Sequence, residues 1–479
     1  MPRGARAGTA GAFTAAALLA VWWNVPAWIR GPGPYPPDWL WALRTEETSA
    51  RFGLALVAGA SLLVMLRASG TRWAAERPRR AARALLAAAI LLGLAFSIGL
   101  LEIEPAGAFP TLAARAMSPV WSSYYNVAVS PEAGDPLDFL KRHADLLPSL
   151  PKHASTHPPG PVLYYRGLIA ICEASPRLTA TLLQLQGHDD EREPRPPNTR
   201  ASKAAALLGA LLLTFMGMAA AWPIAALARR VGGDPLAGAR VGMLWTLVPG
   251  PALFVPQIDQ ALALPVAATA ALLLAAAEAS RDGRRHALAV AAGLSAGAAL
   301  FFSYGAAAFL AVAGLAVLAA AGPERRTLAA AAVAGATTVT VFFATALAGH
   351  QPLAAARRAL AIHHDAYTAA RGYLLWLPFN LLDLALFLGP PVVVLLAFRL
   401  RPSRFARGVV AGVLLLLLTG ATRGEVGRLW IPVMPLLLVG ALAGPDDDRA
   451  AAAPSWADAV WLAVLLAALD LVLRIRWML

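Results

Sequence analysis

Three carboxylates in the first third of the chain are candidates for proton transfer. Asp135 and Asp138 are three residues apart, so a helix places both on one face. Either can take the proton from an acceptor hydroxyl group, which makes them candidates for a catalytic base. The simpler interpretation is that Asp135 caps a helix that begins at Pro136. Glu102 ends an apolar stretch, where an acid is either catalytic or an ordinary helix end at the membrane interface.

Two histidines lie in a proline-rich segment, residues 153–165, which contains HASTHPPGPVLYY. His157 precedes two prolines, whose fixed φ angles hold the turn stiff. Its imidazole can orient an acceptor, bind phosphate when protonated, or help to hold a divalent ion. A turn histidine bonded to the backbone is the simpler alternative. We interpret His153 and His157 as candidate substrate-binding residues.

Asp259, Glu425 and Arg428 form a second set of candidate substrate-binding residues. Asp259 stands between two apolar stretches, so close to hydrocarbon that its carboxylate needs a cationic partner such as Arg428. It is therefore either a second acid of the site or the anchor of an ion pair. Glu425 and Arg428 are three residues apart and can pair with each other on a helix. Alternatively, Arg428 reaches a phosphate, because a planar guanidinium group matches two phosphate oxygens.

A third polar patch begins at His363, and His364 and Asp365 follow directly in the sequence. Adjacent histidines on a helix point about 100° apart, so a metal site that uses both is awkward. Contact with an acceptor or a phosphate is the favoured functional role for His363, and a solvated loop is the simpler interpretation. The residues alone define no metal-ligand set.

The composition places all these residues in a membrane protein. Of 479 residues, 58% are hydrophobic and 14% are charged, against about 25% charged residues in an ordinary soluble domain. This excludes a cytosolic enzyme, a disordered chain and a disulfide-rich secreted domain, the last also because Cys172 is the only cysteine. The net charge of +13 predicts basic loops against anionic lipid head groups. No nucleic-acid-binding motif accompanies the charge, so we expect no nucleic-acid partner.

Apolar windows long enough for a membrane helix recur along the whole chain, so we expect a single integral-membrane domain over residues 1–479. The sequence predicts an all-α polytopic protein with about 13 spans. The windows lie near residues 10–28, 52–67, 83–103, 202–227, 239–256, 259–279, 287–302, 304–321, 327–348, 376–397, 407–421, 429–444 and 455–475.

Arginine clusters orient these spans. With a cytoplasmic N-terminus, clusters such as Arg229/Arg230 and Arg325/Arg326 fall on the cytoplasmic side, whereas Arg474 with Arg476 and the external pair Arg357 and Arg358 conflict with the rule. Residues 104–200 then form a large extracytoplasmic loop between spans three and four, with interfacial helices inserted. A loop of that length in a compact protein is usually functional.

The proline-rich segment resembles the His-Pro-Pro motif in the first large external loop of the C-superfamily (GT-C) glycosyltransferases. This superfamily includes the protein O-mannosyltransferases, the aminoarabinose transferases and enzymes of the lipopolysaccharide core. Tyr124 and Tyr125 resemble the aromatic half of its Asp-Glu-x-Tyr-Tyr motif. Where the family has an acid pair before the tyrosines, this chain has Ser122 and Ser123. Segments that resemble further landmarks, in family order, are FVPQIDQ at 254–260, WLPFNLLD at 376–383 and GEVGRLW at 424–430.

The resemblance implies an enzyme that moves a hexose or pentose from a polyprenyl-phosphate donor to a hydroxyl group of a lipid, glycan or protein. The active site would face outwards from a bacterial inner membrane, with Tyr124 and Tyr125 binding substrate. Some relatives use a divalent cation, so the resemblance allows Mg²⁺ or Mn²⁺ as a cofactor without requiring it. Because Ser122 and Ser123 replace the acid pair, the catalytic carboxylate must lie elsewhere in the loop, or the protein is an inactive relative that binds glycolipid. A transporter or flippase of lipid-linked sugars is the other rival, which predicts broken helices and repeated halves.

Overall fold

A computed structural model describes residues 3–45, 51–187, 198–444 and 454–479. Over those residues the chain is helical and has no strand, with one isolated β-bridge between Leu43 and Trp477. This confirms the all-α prediction. The first twelve helices are α1 (Arg3–Trp23), α2 (Gly53–Ala68), α3 (Arg72–Glu76), α4 (Pro78–Gly99), α5 (Ala108–Met117), α6 (Tyr124–Ala128), α7 (Pro136–Leu146), α8 (Gly160–Ala174), α9 (Pro176–Leu185), α10 (Arg200–Ala219), α11 (Ala221–Gly232) and α12 (Pro235–Trp245).

The remaining helices continue to the end of the described chain. They are α13 (Pro249–Leu253), α14 (Ile258–Ala277), α15 (Asp282–Phe302), α16 (Ala306–Ala321), α17 (Arg325–Ala344), α18 (Pro352–His363), α19 (Tyr373–Leu388), α20 (Pro390–Arg399), α21 (Arg404–Thr419), α22 (Val426–Leu429), α23 (Met434–Leu442) and α24 (Trp456–Arg476). Many begin at proline, which fits the first turn because its missing N–H would have no partner there.

Seven helices in the described chain are long and apolar enough to cross a membrane, and two bent helix pairs raise the number to nine. The seven are Gly4–Trp23, Pro78–Ile103, Arg200–Gly232, Ile258–Ala277, Asp282–Phe302, Arg325–Ala348 and Trp456–Arg476. The bent pairs are Pro352–Thr368 with Tyr373–Leu388, at 92°, and Pro390–Arg399 with Arg404–Thr419, at 118°. The protein therefore has the architecture of a multi-pass membrane protein.

The expected number of about 13 spans is not confirmed, because several apolar windows form helices that are short or broken. Proline and glycine explain the breaks. Window 239–256 divides before Pro249 into α12 and α13, and window 376–397 divides at Gly389 into α19 and α20. Shorter apolar helices occupy windows 52–67, 304–321 and 429–444.

Helix α14 lies at the centre of the bundle, where it contacts α10, α11, α15, α16 and α17. Small side chains allow this close packing. A side chain at Gly217 of α10 would meet Gln260 of α14 at 2.3 Å, so only glycine fits there. The first turn of α14 carries Asp259. The position of Asp259 is therefore set by a central helix that packs against five others.

Residues 104–200 were expected to carry interfacial helices between two spans, and helices α5 to α9 lie in this part of the chain. They follow the second of the seven long spans and precede the third. Helix α8 packs on α10 and is not among the candidate spans. Tyr125 and Tyr165 lie in the apolar core between these helices and α10.

Arg474, which conflicts with the charge rule, is buried in an ionic cluster around Glu104. The Glu104 carboxylate lies 2.8 Å from Arg44, 3.6 Å from Arg115 and 3.7 Å from Arg474. Arg474 also donates to the main-chain oxygen of Leu253 at 3.2 Å. Arg474 therefore pairs with the Glu104 carboxylate inside the protein, and the positive-inside rule, which concerns loops, does not apply to it.

Candidate functional site

A pocket of about 480 Å³ lies where three separated segments meet. The first is the turn before α8, the second is the end of α18 with the turn that follows it, and the third is the loop that leads into α22. The pocket is lined by His153, Thr156, His157, His363, Tyr367, Thr368, Arg371, Thr422, Arg423, Gly424, Glu425, Arg428 and Leu429.

The pocket brings together five of the sequence-predicted substrate-binding residues, namely His153, His157, His363, Glu425 and Arg428. Two more lie behind its wall. The ring of Tyr124 meets the ring of His157 edge to face, with 5.3 Å between their centroids. The Asp259 carboxylate interacts electrostatically with both Tyr124 and Arg428.

Each of the two histidines in this turn forms a hydrogen bond with a main-chain carbonyl group. Nε2 of His153 lies 3.0 Å from the Val120 carbonyl oxygen, and Nδ1 of His157 lies 2.9 Å from the His153 carbonyl oxygen. A carbonyl only accepts, so these ring nitrogens carry the protons and donate. Nδ1 of His153 and Nε2 of His157 remain as the nitrogens with free lone pairs.

Both imidazoles are neutral at physiological pH. Burial, reinforced by the neighbouring His153, lowers the pKa of His157 to about 3. Burial and the positive charge of Arg428 lower the pKa of His153 to about 4. A protonated histidine that binds phosphate is therefore disfavoured here, and the imidazoles act as neutral hydrogen-bonding groups.

Three arginines supply the positive charge of the pocket. Arg428 donates from Nη2 to Glu425 at 2.7 Å, and Arg371 lies 3.9 Å from the same carboxylate. Arg423 donates to the main-chain oxygen of Thr368 at 3.0 Å, a bond that leaves its charge uncompensated. Nε of Arg428 is buried and has no hydrogen-bond partner in the described chain. Three guanidinium groups and one carboxylate thus line the pocket, and two of the guanidinium groups approach that carboxylate, an arrangement that favours an anion.

Helix α19 holds the loop that carries Glu425. Asn380 accepts from the Gly424 N–H at 3.0 Å and donates to the Thr422 carbonyl at 2.8 Å. Asp383 accepts from the Gly427 N–H at 2.7 Å. Glu425 itself adopts a left-handed backbone conformation, with φ of 57°. Non-glycine residues in this region are strained, and such strain is concentrated at functional sites.

A smaller pocket of about 240 Å³ lies on the other side of Glu425, which lines both. Its walls are largely aromatic, and Nε1 of Trp39 is buried there without a partner in the described chain. The other lining residues are Ile29, Arg30, Gly31, Trp41, Trp376, Phe379, Leu382 and Asp383. Glu425 therefore sits at the junction of a cationic pocket and an aromatic pocket.

The chain was compared with family models, curated proteins and solved structures. No match was found in any of the three. Inference about function therefore depends on the residues and geometry of these two pockets.

The three predicted catalytic carboxylates do not line either pocket. Asp135 is exposed and caps α7 by accepting from the N–H groups of Leu137 and Asp138, at 2.7 Å and 3.1 Å. Asp138 is exposed and accepts from Nε of Arg142 at 2.8 Å. Glu102 lies just after α4, with its carboxylate 3.4 Å from the Leu54 N–H.

Tyr125 is also separate from the pocket. It is buried, its ring meets that of Tyr165 at 5.8 Å, and its hydroxyl lies 2.8 Å from Asn198 and 3.1 Å from Ser202. Tyr124 and Tyr125 are adjacent in the chain but point to different surroundings. Tyr125 anchors α6 to the start of α10, and Tyr124 faces His157.

Arg371, Arg423 and Tyr367 line the pocket but were not among the sequence-predicted site residues. The two arginines had one signal, since they lie in a part of the chain assigned to the external side, against the charge rule. Local sequence does not distinguish an arginine that lines a pocket from a solvated one. Only the fold shows that Arg371 is buried, that Arg423 is half-buried, and that both contact the loop that carries Glu425.

The described residues contain no group of three or more histidine, cysteine, aspartate or glutamate side chains that could hold a metal ion. Mg²⁺ and Mn²⁺ prefer several oxygen ligands. Among the described residues, Glu425 is the only carboxylate that lines the cationic pocket, and it already pairs with Arg428. The donor set of this pocket therefore does not fit the open Mg²⁺ or Mn²⁺ cofactor.

Proposed function

We propose that this protein is a membrane glycosyltransferase of the C-superfamily type. It moves a sugar from a polyprenyl-phosphate donor to a hydroxyl group of a lipid, glycan or protein on the extracytoplasmic side of a bacterial inner membrane. The observation that carries the proposal is the cationic pocket, which three arginines and one carboxylate line beside two neutral imidazoles. This charge excess suits a phosphate that keeps its negative charge when it leaves the sugar.

Arg428, Arg371 and Arg423 bind the donor phosphate in this proposal. Arg428 is best placed, since its Nε is buried and has no hydrogen-bond partner among the described residues, while its Nη2 donates to the Glu425 carboxylate. A guanidinium group holds two phosphate oxygens at once, which fixes the orientation of the donor as well as its position. The neutral imidazoles of His153 and His157 add hydrogen bonds without adding charge.

Glu425 accepts the proton of the acceptor hydroxyl. The acceptor oxygen attacks the anomeric carbon, the bond from that carbon to the phosphate oxygen breaks, and the phosphate leaves with the electron pair. Before the donor arrives, Glu425 is paired with Arg428 at 2.7 Å. A phosphate that engages Arg428 and Arg371 competes for these partners and frees the carboxylate to act as a base.

The residues around the aromatic pocket have the chemistry that a sugar ring contacts. A sugar presents flat C–H faces and hydroxyl edges, and this pocket offers aromatic walls together with the carboxylates of Asp383 and Glu425. Ligand sites commonly combine apolar walls with a few placed polar groups. Because Glu425 lines both pockets, a donor whose phosphate contacts the arginines and whose sugar contacts the aromatic residues places its phosphate–sugar bond beside that carboxylate.

The proposal is tested with purified full-length protein and synthetic polyprenyl-phosphate donors that carry a radiolabelled sugar. We expect label transfer, or slow donor hydrolysis when the acceptor is wrong, and about 100-fold slower turnover in Glu425→Gln. Asp135→Asn and Asp138→Asn are matched controls, because each removes one carboxylate charge outside both pockets. If Asp138→Asn abolishes turnover and Glu425→Gln does not, the base belongs on α7.

A transporter of lipid-linked sugars is the second candidate, and the bent helices favour it. Transporters place binding sites at breaks in membrane helices. The 92° bend between Pro352–Thr368 and Tyr373–Leu388 contains Arg371, which lines the cationic pocket. Reconstitution in vesicles with a fluorescent lipid-linked sugar distinguishes the two. Movement between leaflets without transfer of the sugar supports the transporter.

A further inference from the structure

A groove of about 840 Å³ lies between α4 and α11, at the end of α4 opposite to Glu104. A helix of 22 residues is about 33 Å long, so the groove is far from the loop that follows α4. Its lining residues are Arg79, Ala82, Arg83, Leu86, Trp222, Ala225, Ala226, Arg229 and Pro235.

The spacing of these residues shows how the groove is formed. On α4 the lining positions are 79, 82, 83 and 86, and on α11 they are 222, 225, 226 and 229. Each set follows the i, i+3, i+4, i+7 pattern of one helix face. Alanines lie in the middle of both helix faces. Because their side chains are small, a channel remains between the two helices that larger side chains would fill.

The groove is basic at one end and apolar at the other. Arg79 and Arg83 belong to the first two turns of α4, and Arg229 belongs to the last turn of α11. Leu86 and Trp222 lie further along the two helices, and the ring of Trp222 is exposed. A tryptophan in this position is typical of the boundary between head groups and hydrocarbon.

The three arginines are exposed, and no hydrogen bond or ion pair engages their side chains in the described part of the chain. Arg79 and Arg83 repel each other across one helical turn. Two acids are near these arginines in sequence. Glu76 ends α3, three residues before Arg79, and forms no ion pair with the groove arginines in the described chain. Asp234 accepts from the N–H groups of Leu236 and Ala237 at 2.9 Å and 3.1 Å, so it caps α12. The groove therefore carries a charge that calls for an external anion.

We infer that this groove binds an anionic phospholipid, with its phosphate among Arg79, Arg83 and Arg229 and its acyl chains leaving along Leu86 and Trp222. Basic pockets between membrane helices suit such head groups. The polarity of the groove matches a lipid rather than a free anion, because one end is cationic and the other is apolar. This site is separate from the two pockets around Glu425 and does not depend on the proposed function.

The experiment measures lipid binding to the purified full-length protein by native mass spectrometry. Phosphatidylglycerol and phosphatidylcholine with identical acyl chains are the probes. We expect phosphatidylglycerol to bind at least about tenfold more tightly, and the triple variant Arg79→Gln, Arg83→Gln, Arg229→Gln to lose that preference. The matched control is Arg284→Gln, Arg325→Gln, Arg326→Gln, which removes three exposed helix-start arginines outside the groove and keeps the preference.

Ala226→Leu tests the shape of the groove without changing charge. It narrows the channel, and we expect it to weaken phosphatidylglycerol binding while the protein stays folded, as checked by its melting temperature. Equal losses in both arginine triples would overturn the inference, because binding would then follow total charge. Competition by glycerol 3-phosphate as effective as that by phosphatidylglycerol would also overturn it, because the apolar end would then have no role.

Discussion

Glu425 illustrates how one side chain acquires several roles from its surroundings. It pairs with Arg428, lies near Arg371, lines both pockets and occupies the left-handed region of backbone space. Strain of this kind costs about 1–3 kcal/mol and persists only when neighbouring bonds determine the conformation. Here the Asn380 and Asp383 side chains supply those bonds.

At the residue scale, we predict that Arg428→Lys weakens binding of polyprenyl phosphate by about tenfold. Lysine keeps the positive charge but loses the planar pair of donors that a phosphate needs. Binding of polyprenyl phosphate to purified protein measures this directly. Arg142→Lys is the control, since Arg142 is an exposed partner of Asp138 outside the pockets. Unchanged affinity in Arg428→Lys would contradict a role in phosphate recognition.

A second residue-scale prediction concerns pH. Burial and the nearby His350 lower the pKa of His143 to about 3. Between that value and about 6.5 the unfolded chain binds more protons than the folded chain, so stability falls as pH falls. We expect a melting temperature lower at pH 5 than at pH 7.5, with His143 accounting for about 2 kcal/mol.

His143→Gln should reduce this pH dependence without abolishing it, because burial also lowers the pKa values of His153 and His157, and His286→Gln should leave it intact. His286 is a suitable control because it is exposed at the start of α15, far in sequence from the neighbouring rings of His143 and His350. Thermal unfolding of the purified variants at the two pH values checks the expectation. A slope that stays the same in His143→Gln would show that other groups control the acid sensitivity.

At the scale of elements, Glu104 joins parts of the chain that are far apart in sequence. Arg44 precedes α2, Arg115 lies on α5 and Arg474 lies on α24, and all three approach the same carboxylate. Burial opposes its charge, but the hydrogen bond from Arg44 and the charges of Arg474 and its neighbours outweigh burial and lower the pKa of Glu104. The cluster fixes α5, and through it the segment that leads to Tyr124.

We predict that Glu104→Gln lowers the free energy of unfolding by about 3–5 kcal/mol, because three arginines are left around a neutral side chain. Glu278→Gln is the matched control. It breaks an ion pair with Arg230 in which Glu278 is 43% exposed, and such pairs contribute about 1 kcal/mol or less. Melting temperatures of the two variants should differ clearly. Equal shifts would show that the cluster contributes no more than a surface pair.

At the scale of the whole molecule, polar features separate to the two ends of the bundle. Glu104, Leu253 and Arg474 meet at one end of α4, and Arg79 and Arg83 lie at the other. We expect the second end to face the cytoplasm, by the positive-inside rule. The loop that carries Tyr124 and His157 starts from the first end, so the cationic pocket is expected on the extracytoplasmic side.

This orientation is tested by cysteine labelling in intact cells. Cys172 is the only cysteine and is buried, so background labelling is low. We expect Glu132→Cys to react with a membrane-impermeant thiol reagent and Arg326→Cys to react only after permeabilisation. Both positions are exposed. The reverse pattern would place the pocket in the cytoplasm and remove external lipid-linked sugars as substrates.

Several residues of the candidate site were predictable because a polar or charged side chain in such a position is unfavourable without a partner. His157 before two prolines, Asp259 between apolar stretches and Arg428 beside Glu425 each required a partner, and the structure brings them to one place. Asp135 and Asp138 were less predictable, since a helix cap and a catalytic carboxylate have the same local pattern. Only the fold shows that both lie outside the pockets.

By itself, the sequence determined the helical membrane architecture, because apolar composition and backbone hydrogen bonding in lipid leave few other solutions. It also selected five of the thirteen residues that line the cationic pocket. The tertiary structure decided which helices are long enough to span, where proline and glycine bend them, and which carboxylate lies between the arginines and the aromatic walls. These depend on contacts between residues hundreds of positions apart, which local patterns do not specify.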